Sequence, residues 1–220
     1  MSYRIRVWDL PTRLFHWLLA TCVVALVVTG KVGGAATEWH ARLGYTVLAL
    51  LLFRLVWGFI GGHWSRFRSF LYPPAKVVAY LGGRAHPDHL VGHNPLGAAS
   101  VFAMLLVLLV QAGTGLFNDD EAGFTGPLNR FVSTDRGLAL TSYHRHLGQW
   151  LVFALVGLHI AAIVFYQWRK RQELVRPMIT GDKEVAHAAP SARDDATSRT
   201  LAAAVALACA GLVTWITRLG

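Results

Sequence analysis

Five histidines stand inside or at the ends of long apolar runs: His16, His40, His144, His146 and His159. Ionisable side chains in such runs are costly in a bilayer and usually carry function. Neutral imidazole is the commonest biological metal ligand and also an axial ligand of haem iron. The chemistry these residues suit is one-electron transfer at a metal held between two rings. His144 and His159 share one run, residues 141–168. At roughly 1.5 Å per residue they lie about 20 Å apart along a helix. That separation puts one metal site near each face of a membrane.

The elements that must position these rings are membrane helices. The chain has 220 residues, 54% hydrophobic and only 15% charged, a composition of integral membrane proteins rather than soluble domains. The net charge of +9 does not indicate nucleic acid, because the basic residues lie between apolar runs, where they set topology. Cys22 and Cys209 fall within apolar runs and no C-x-x-C-H occurs, so a haem here is b-type, held without thioethers.

Spans are expected over residues 14–30, 40–60, 96–117 and 141–168, with a short, Ala-rich fifth over 201–216. The first follows Arg4, Arg6 and Arg13 as a signal peptide would, but its length, His16 and Trp17 mark it as a retained span. Asn94 and Pro95 open the third as N-cap and first helical residue. Pro74 opens a short interfacial helix in the polar connection 61–94, and the Ser/Asp/Ala-rich stretch 182–200 reads as a flexible linker. Lys and Arg concentrate before the first span, in the second connection and after the fourth span, whereas the third connection carries Asp119, Asp120, Glu121 and Asp135. The positive-inside rule puts the N-terminus in the cytoplasm, the acidic loop outside and, with five spans, the C-terminus outside.

This orientation sorts the histidines by depth. His16 and His159 share the inner half of the membrane, and His40 lies with His144 or His146 at the outer ends. A single histidine at a helix end is ordinarily an interfacial or capping side chain; two matched pairs argue for ligation. At about 100° per residue, His144 differs from His159 by roughly 60° and His146 by roughly 140°. His144 is therefore favoured unless a local bulge re-phases the helix. Gly44 and Gly148 each follow an outer ligand by four residues, where a missing side chain lets a macrocycle approach. Arg54 and Arg13 are the cations placed for propionates of the inner haem; Arg42 and Arg145 are weaker candidates at the outer one. His63, His86, His89 and His93 lack the paired spacing of a zinc frame, and His187 reads as solvated.

Several ordered stretches carry a family resemblance: VWDLPTRLFHW from Val7, EWHARLGYTVLALLLFRLVWG from Glu38, GHNPLGAASVFAMLLVLLVQAGTGLF from Gly92, then NDD with GPL, LTSYH, GLHIAAIVFY and LVRPMITG ending at Gly181. The chain resembles the bacterial cytochrome b561 proteins, which include cytochrome b subunits of nickel-iron hydrogenases. The resemblance implies an all-α integral membrane protein, with a four-helix transmembrane bundle holding two haem b groups through His16, His40, His144 and His159. Its dihaem domain covers residues 1–181, followed by a linker over 182–200 and a fifth transmembrane helix within 201–220. Family members commonly space the two span-four ligands fourteen apart; here Arg145 stands at that position, which leaves His146 open beside His144.

The function implied is electron transfer across the bacterial inner membrane between a quinone and a periplasmic c-type cytochrome or redox enzyme subunit. The acidic loop Asp119, Asp120 and Glu121 suits steering of a basic soluble cytochrome. Other readings are a superoxide:ubiquinone oxidoreductase using Arg130, Arg136 and Arg145, a membrane anchor of a hydrogenase-like complex, and a haem-free transporter-like bundle. Lipid-facing helices permit a homodimer, and no nucleic acid is expected.

Overall fold

The computed structural model of the chain describes residues 2–84, 86–121 and 123–220. Among them, five helices are long and apolar enough to cross a membrane. They are α1 (Leu10–Val32), α2 (Ala36–Ile60), α4 (Pro95–Gly115), a composite helix over Thr134–Arg169, and α8 (Ala196–Thr217). The composite helix joins α5 (Thr134–Ser142) to α6 (Gln149–Arg169) through a π-helical turn at Tyr143–Gly148. Short α3 (Pro74–Leu81) starts at Pro74 as expected, and α7 (Val175–Thr180) follows the fourth span. Leu14, Val24, Val28, Leu106, Leu158 and Leu207 are exposed along these helices, as lipid-facing positions are. The architecture is an all-α membrane protein that also carries a small two-stranded β element, which no local pattern in the sequence announces.

That element is an antiparallel ribbon of β1 (Tyr3–Arg6) and β2 (Asp182–Val185), with Arg6 opposite Asp182 and Tyr3 opposite Val185. Arg4 and Arg6 both donate to Asp182, and Arg6 also reaches Asp194. Ile5 and Val185 turn inward on Val7, Trp8, Trp64, Val91 and Ala192. The stretch expected as a linker is bonded along its length: Ala192 N–H donates to Arg6 O at 2.7 Å, and Trp64 Nε1–H to Pro190 O at 2.7 Å. α8 is 22 residues long rather than a short crossing, because Asp195 caps its first turn by accepting from Ser198 N–H at 2.8 Å.

By contacts the chain divides into two units. One comprises Met1–Leu14, Arg54–Ala103 and Leu155–Ala203. It holds the ribbon and a buried polar cluster around Asp9, the residue before α1. The Asp9 carboxylate accepts from Thr12 N–H, Trp57 Nε1–H, Gly62 N–H and Ser65 Oγ–H, at 2.8, 3.1, 3.0 and 2.8 Å. A buried carboxylate with four donors is satisfied and fixes the start of α1. Gly181 ends α7 in the left-handed region at φ 91°, and its carbonyl accepts from Val7 and Trp8. A Cβ there would stand 2.7 Å from Trp8 O, so only glycine fits. Asn94 caps α4 through its Oδ1, which accepts from Gly97 N–H at 2.8 Å, as the Asn-Pro pair predicts.

The second unit comprises Phe15–Phe53, Met104–Ala154 and Ala204–Gly220. Its core packs Leu48, Leu116 and Val213 with Tyr45, Leu109, Phe117 and Ile216, so α8 is built into the fold through Val213 and Ile216.

Candidate functional site

The second unit brings His40 and His144 together. Their ring centres are 6.1 Å apart with planes at 85°. Each ring is oriented by a backbone carbonyl on the preceding long helix: His40 Nδ1 lies 3.1 Å from Leu26 O, and His144 Nδ1 lies 2.9 Å from Gln111 O. A carbonyl only accepts, so Nδ1 carries the proton in both rings and Nε2 keeps its lone pair. This is the arrangement of a metal-ligating histidine, whose second nitrogen is held by a carbonyl or carboxylate.

Both rings line one cavity of about 400 Å³ together with Gly30, Gly44, Gln111 and Gly115. The volume falls in the range of cofactor pockets, about 300–1,000 Å³. Gly44 has no atom within 4 Å of where a Cβ would stand, so its side of the cavity is open. A first-row metal binds imidazole nitrogen at about 2 Å, and a ring centre lies about 1 Å further, so ring centres about 6 Å apart leave room for one metal between them. The observed 6.1 Å separation, the two available Nε2 atoms and the open Gly44 wall fit a haem.

The remaining expected site residues divide. His146 is exposed and does not line the cavity. The π turn takes up one extra residue, so the fifteen positions from His144 to His159 count as fourteen on a regular helix. His16 lies on α1 in the second unit, its ring edge-on to Trp17 at 5.0 Å, and His159 lies on α6 in the first unit. Gly148 is buried against the Gln111 side chain and does not line the cavity, so it serves helix packing there. Arg54 is buried, donates to Ser65 O at 3.0 Å and stacks over Phe67. Arg13 donates to Ile179 O at 2.6 Å and lies 3.9 Å from Asp194. Arg42 pairs with Glu38, whereas Arg145 lines the cavity.

Sequence reasoning missed Lys31, which lines the cavity and donates to Gln149 Oε1 at 3.0 Å. It also missed Thr29, Gly30, Gln111, Thr114 and Gly115, the residues behind the two rings. Their signal was present as two similar segments, LVVTG at 26–30 and QAGTG at 111–115.

In the polar connection, His63, His86 and His89 line a separate cavity of about 360 Å³ with Lys76 and Arg84. Burial, then Arg66 and Arg68, pushes the His63 ring below its usual pKa; burial, then His86, does the same for His89. Among the described residues, no group of three or more His, Cys, Asp or Glu is arranged to hold a metal ion.

Five membrane-length helices and a pair of imidazoles seated for ligation define a multi-pass membrane cytochrome b. The chain belongs to the prokaryotic cytochrome b561 family, which it matches over residues 7–181. It is 27% identical to the probable Ni/Fe-hydrogenase 1 B-type cytochrome subunit of Escherichia coli K12, over 80% of this chain and 88% of that protein. Identity is 28% to the probable Ni/Fe-hydrogenase B-type cytochrome subunit of Azotobacter vinelandii (80% and 87% covered). It is 24% to the counterpart from Bradyrhizobium diazoefficiens (82% and 86% covered). No solved structure matches the chain. The protein is thus a membrane electron carrier that uses b-type haem.

Proposed function

We propose that this cytochrome carries two b haems and passes electrons across the bacterial inner membrane between a quinone and a redox enzyme subunit or c-type cytochrome on the periplasmic side. The single observation that carries the reading is the seating of His40 and His144, each with Nδ1–H held by a carbonyl and Nε2 available, around one cavity. Bound haem supplies one-electron chemistry at its iron. His40 and His144 would hold the iron, with both tautomers set by the Leu26 and Gln111 carbonyls and the apolar cavity walls keeping water out. Lys31 and Arg145 line the same cavity and suit haem carboxylates there. The second haem rests on His16 and His159, which the family resemblance and their positions inside apolar helices support. Residues 1–181 form the haem-holding part.

The basic N-terminal segment and second connection support a cytoplasmic N-terminus, and five spans then leave the C-terminus outside. The three relatives are described as cytochrome subunits of Ni/Fe-hydrogenase, which supports a large redox enzyme as partner. Pyridine haemochrome assay of the detergent-purified chain tests the stoichiometry, with His16→Ala, His40→Ala, His144→Ala, His146→Ala and His159→Ala beside it. Two b haems in the wild type and a normal complement in His146→Ala are expected; a single haem removes the transmembrane relay. Co-purification with a metal-containing subunit and reduction by a quinol test the two ends.

A further inference from the structure

His40 and His144 rest in the same arrangement of atoms, built twice from separate parts of the chain. His40 Nδ1–H meets Leu26 O at 3.1 Å and Thr29 Oγ1 at 3.3 Å, and its Cε1 lies 3.1 Å from where a Gly30 Cβ would stand. His144 Nδ1–H meets Gln111 O at 2.9 Å and Thr114 Oγ1 at 3.3 Å, with its Cε1 3.2 Å from a Gly115 Cβ position. Carbonyl, threonine and glycine occupy positions n, n+3 and n+4 in both LVVTG and QAGTG. The segments bearing the rings match as well: WHARLGY at 39–45 and YHRHLGQ at 143–149 each read aromatic, His, any, basic, Leu, Gly. In this register His146 corresponds to Arg42, a basic residue beside the ligand.

The threonine hydroxyls have a defined polarity. Thr29 Oγ1–H donates to Ala25 O at 2.8 Å, and Thr114 Oγ1–H to Gln111 O at 3.0 Å. Each hydroxyl proton is directed along its own helix, so what the oxygen presents to the ring is a lone pair. The Nδ1–H is thereby shared between two acceptors. An acceptor on Nδ1–H makes Nε2 a stronger donor, which favours the oxidised iron. The glycine is what lets the ring reach this position, since an added methyl group would meet it at 3.1–3.2 Å.

We propose that Thr29 and Thr114, with Gly30 and Gly115, are positioning residues forming one imidazole seat used twice, and that the two hydroxyls lower the reduction potential of the haem between His40 and His144. This rests on those two histidines ligating one haem. The test is a spectroelectrochemical titration of the purified holoprotein, with haem content per chain, for Thr29→Val, Thr114→Val, the double variant and the matching Thr→Ser variants. Valine keeps the shape and removes the lone pair; serine keeps it.

Expected is unchanged haem content with one midpoint potential raised in each Val variant and raised further in the double, by up to tenfold in the reduction equilibrium, about 59 mV for one electron. The Ser variants stay at the wild-type potential. Unmoved potentials in the Val variants, or Ser variants shifted as far as Val, overturn the proposal. If Val variants lose haem, Ser variants with full content and wild-type potential uphold the seat, and Ser variants that also lose it sink the idea. His40→Ala and His144→Ala separate the two levels. Retention of that haem in both overturns the ligand reading and the seat with it, whereas its loss alongside silent threonine variants overturns the seat alone.

Discussion

Two regions of the molecule are dense in histidine, and they use the ring in opposite senses. At the His40–His144 cavity, each Nδ1 donates its proton to a backbone carbonyl. In the polar connection, Nδ1 accepts instead: His86 Nδ1 from Asp88 N–H at 3.2 Å, and His89 Nδ1 from His86 N–H at 3.1 Å. These two rings cap a short turn at Pro87–Leu90, and His187 Nε2 lies 3.3 Å from Asp88. The cavities are similar in size, about 400 and 360 Å³. What separates a ring suited to ligation from a cap is therefore the direction of one hydrogen bond at Nδ1, which decides whether Nε2 has a lone pair for a metal. Histidine density alone does not.

The largest test of this contrast is ligand removal. His40→Ala or His144→Ala should each cost the protein one haem, while His86→Ala, His89→Ala and His187→Ala together should retain full haem content by pyridine haemochrome assay. Haem loss in the triple variant would erase the distinction. A smaller effect is expected from Gly30→Ala and Gly115→Ala. Alanine favours a helix by about 1 kcal/mol over glycine, so these variants should fold while binding haem at least tenfold more weakly. Unchanged haem retention on dilution would show that the rings need no such clearance. Smaller again is the field of Lys31. Removing a nearby cation favours the oxidised iron, so Lys31→Gln should lower a haem midpoint potential by on the order of tens of millivolts, and Lys76→Gln, at the other cavity, should leave it unmoved.

The smallest effect concerns pH. Burial holds His63 and His89 below their usual pKa, so the unfolded chain takes up their protons first as pH falls. The stability they contribute is complete above about pH 6.5 and declines below it. Hydrogen-exchange protection at Pro87–Leu90 should weaken across that window while the haem spectrum stays constant. Equal protection at pH 7.5 and 5.5 would refute this.

Most of the architecture was legible because long apolar runs have one solution in a bilayer, a helix with its backbone satisfied internally. The limits of that signal are specific. α8 starts at Ala196, ahead of its apolar run, because Asp195 caps residues that look like linker. The β1–β2 ribbon pairs two charged four-residue segments far apart in the chain, and no local periodicity announces such a pairing. Arg13 and Arg54 stand three residues before His16 and fourteen after His40, a helical spacing that says nothing of what else reaches them. Their observed partners, Ile179 O on α7 and Ser65 O in a short turn after α2, are brought to them by tertiary folding. Gly44 and Gly148 look equivalent in sequence, yet one faces open cavity and the other Gln111. The π turn had a trace in the fifteen-residue spacing of His144 and His159, one more than the family's usual fourteen.

The ribbon also has a history in time. Arg6 and Asp182 are 176 positions apart, so at 5–20 residues per second Asp182 is made roughly 10 to 35 s after Arg6. Throughout that interval Arg4 and Arg6 carry charge that no carboxylate of β2 has yet answered, while the first span is being inserted and charge of this kind sets its direction. When Asp182 and then Asp194 emerge, the same two arginines become a clasp. The ribbon therefore closes late in synthesis, after all but the last of the five membrane-length helices have been made.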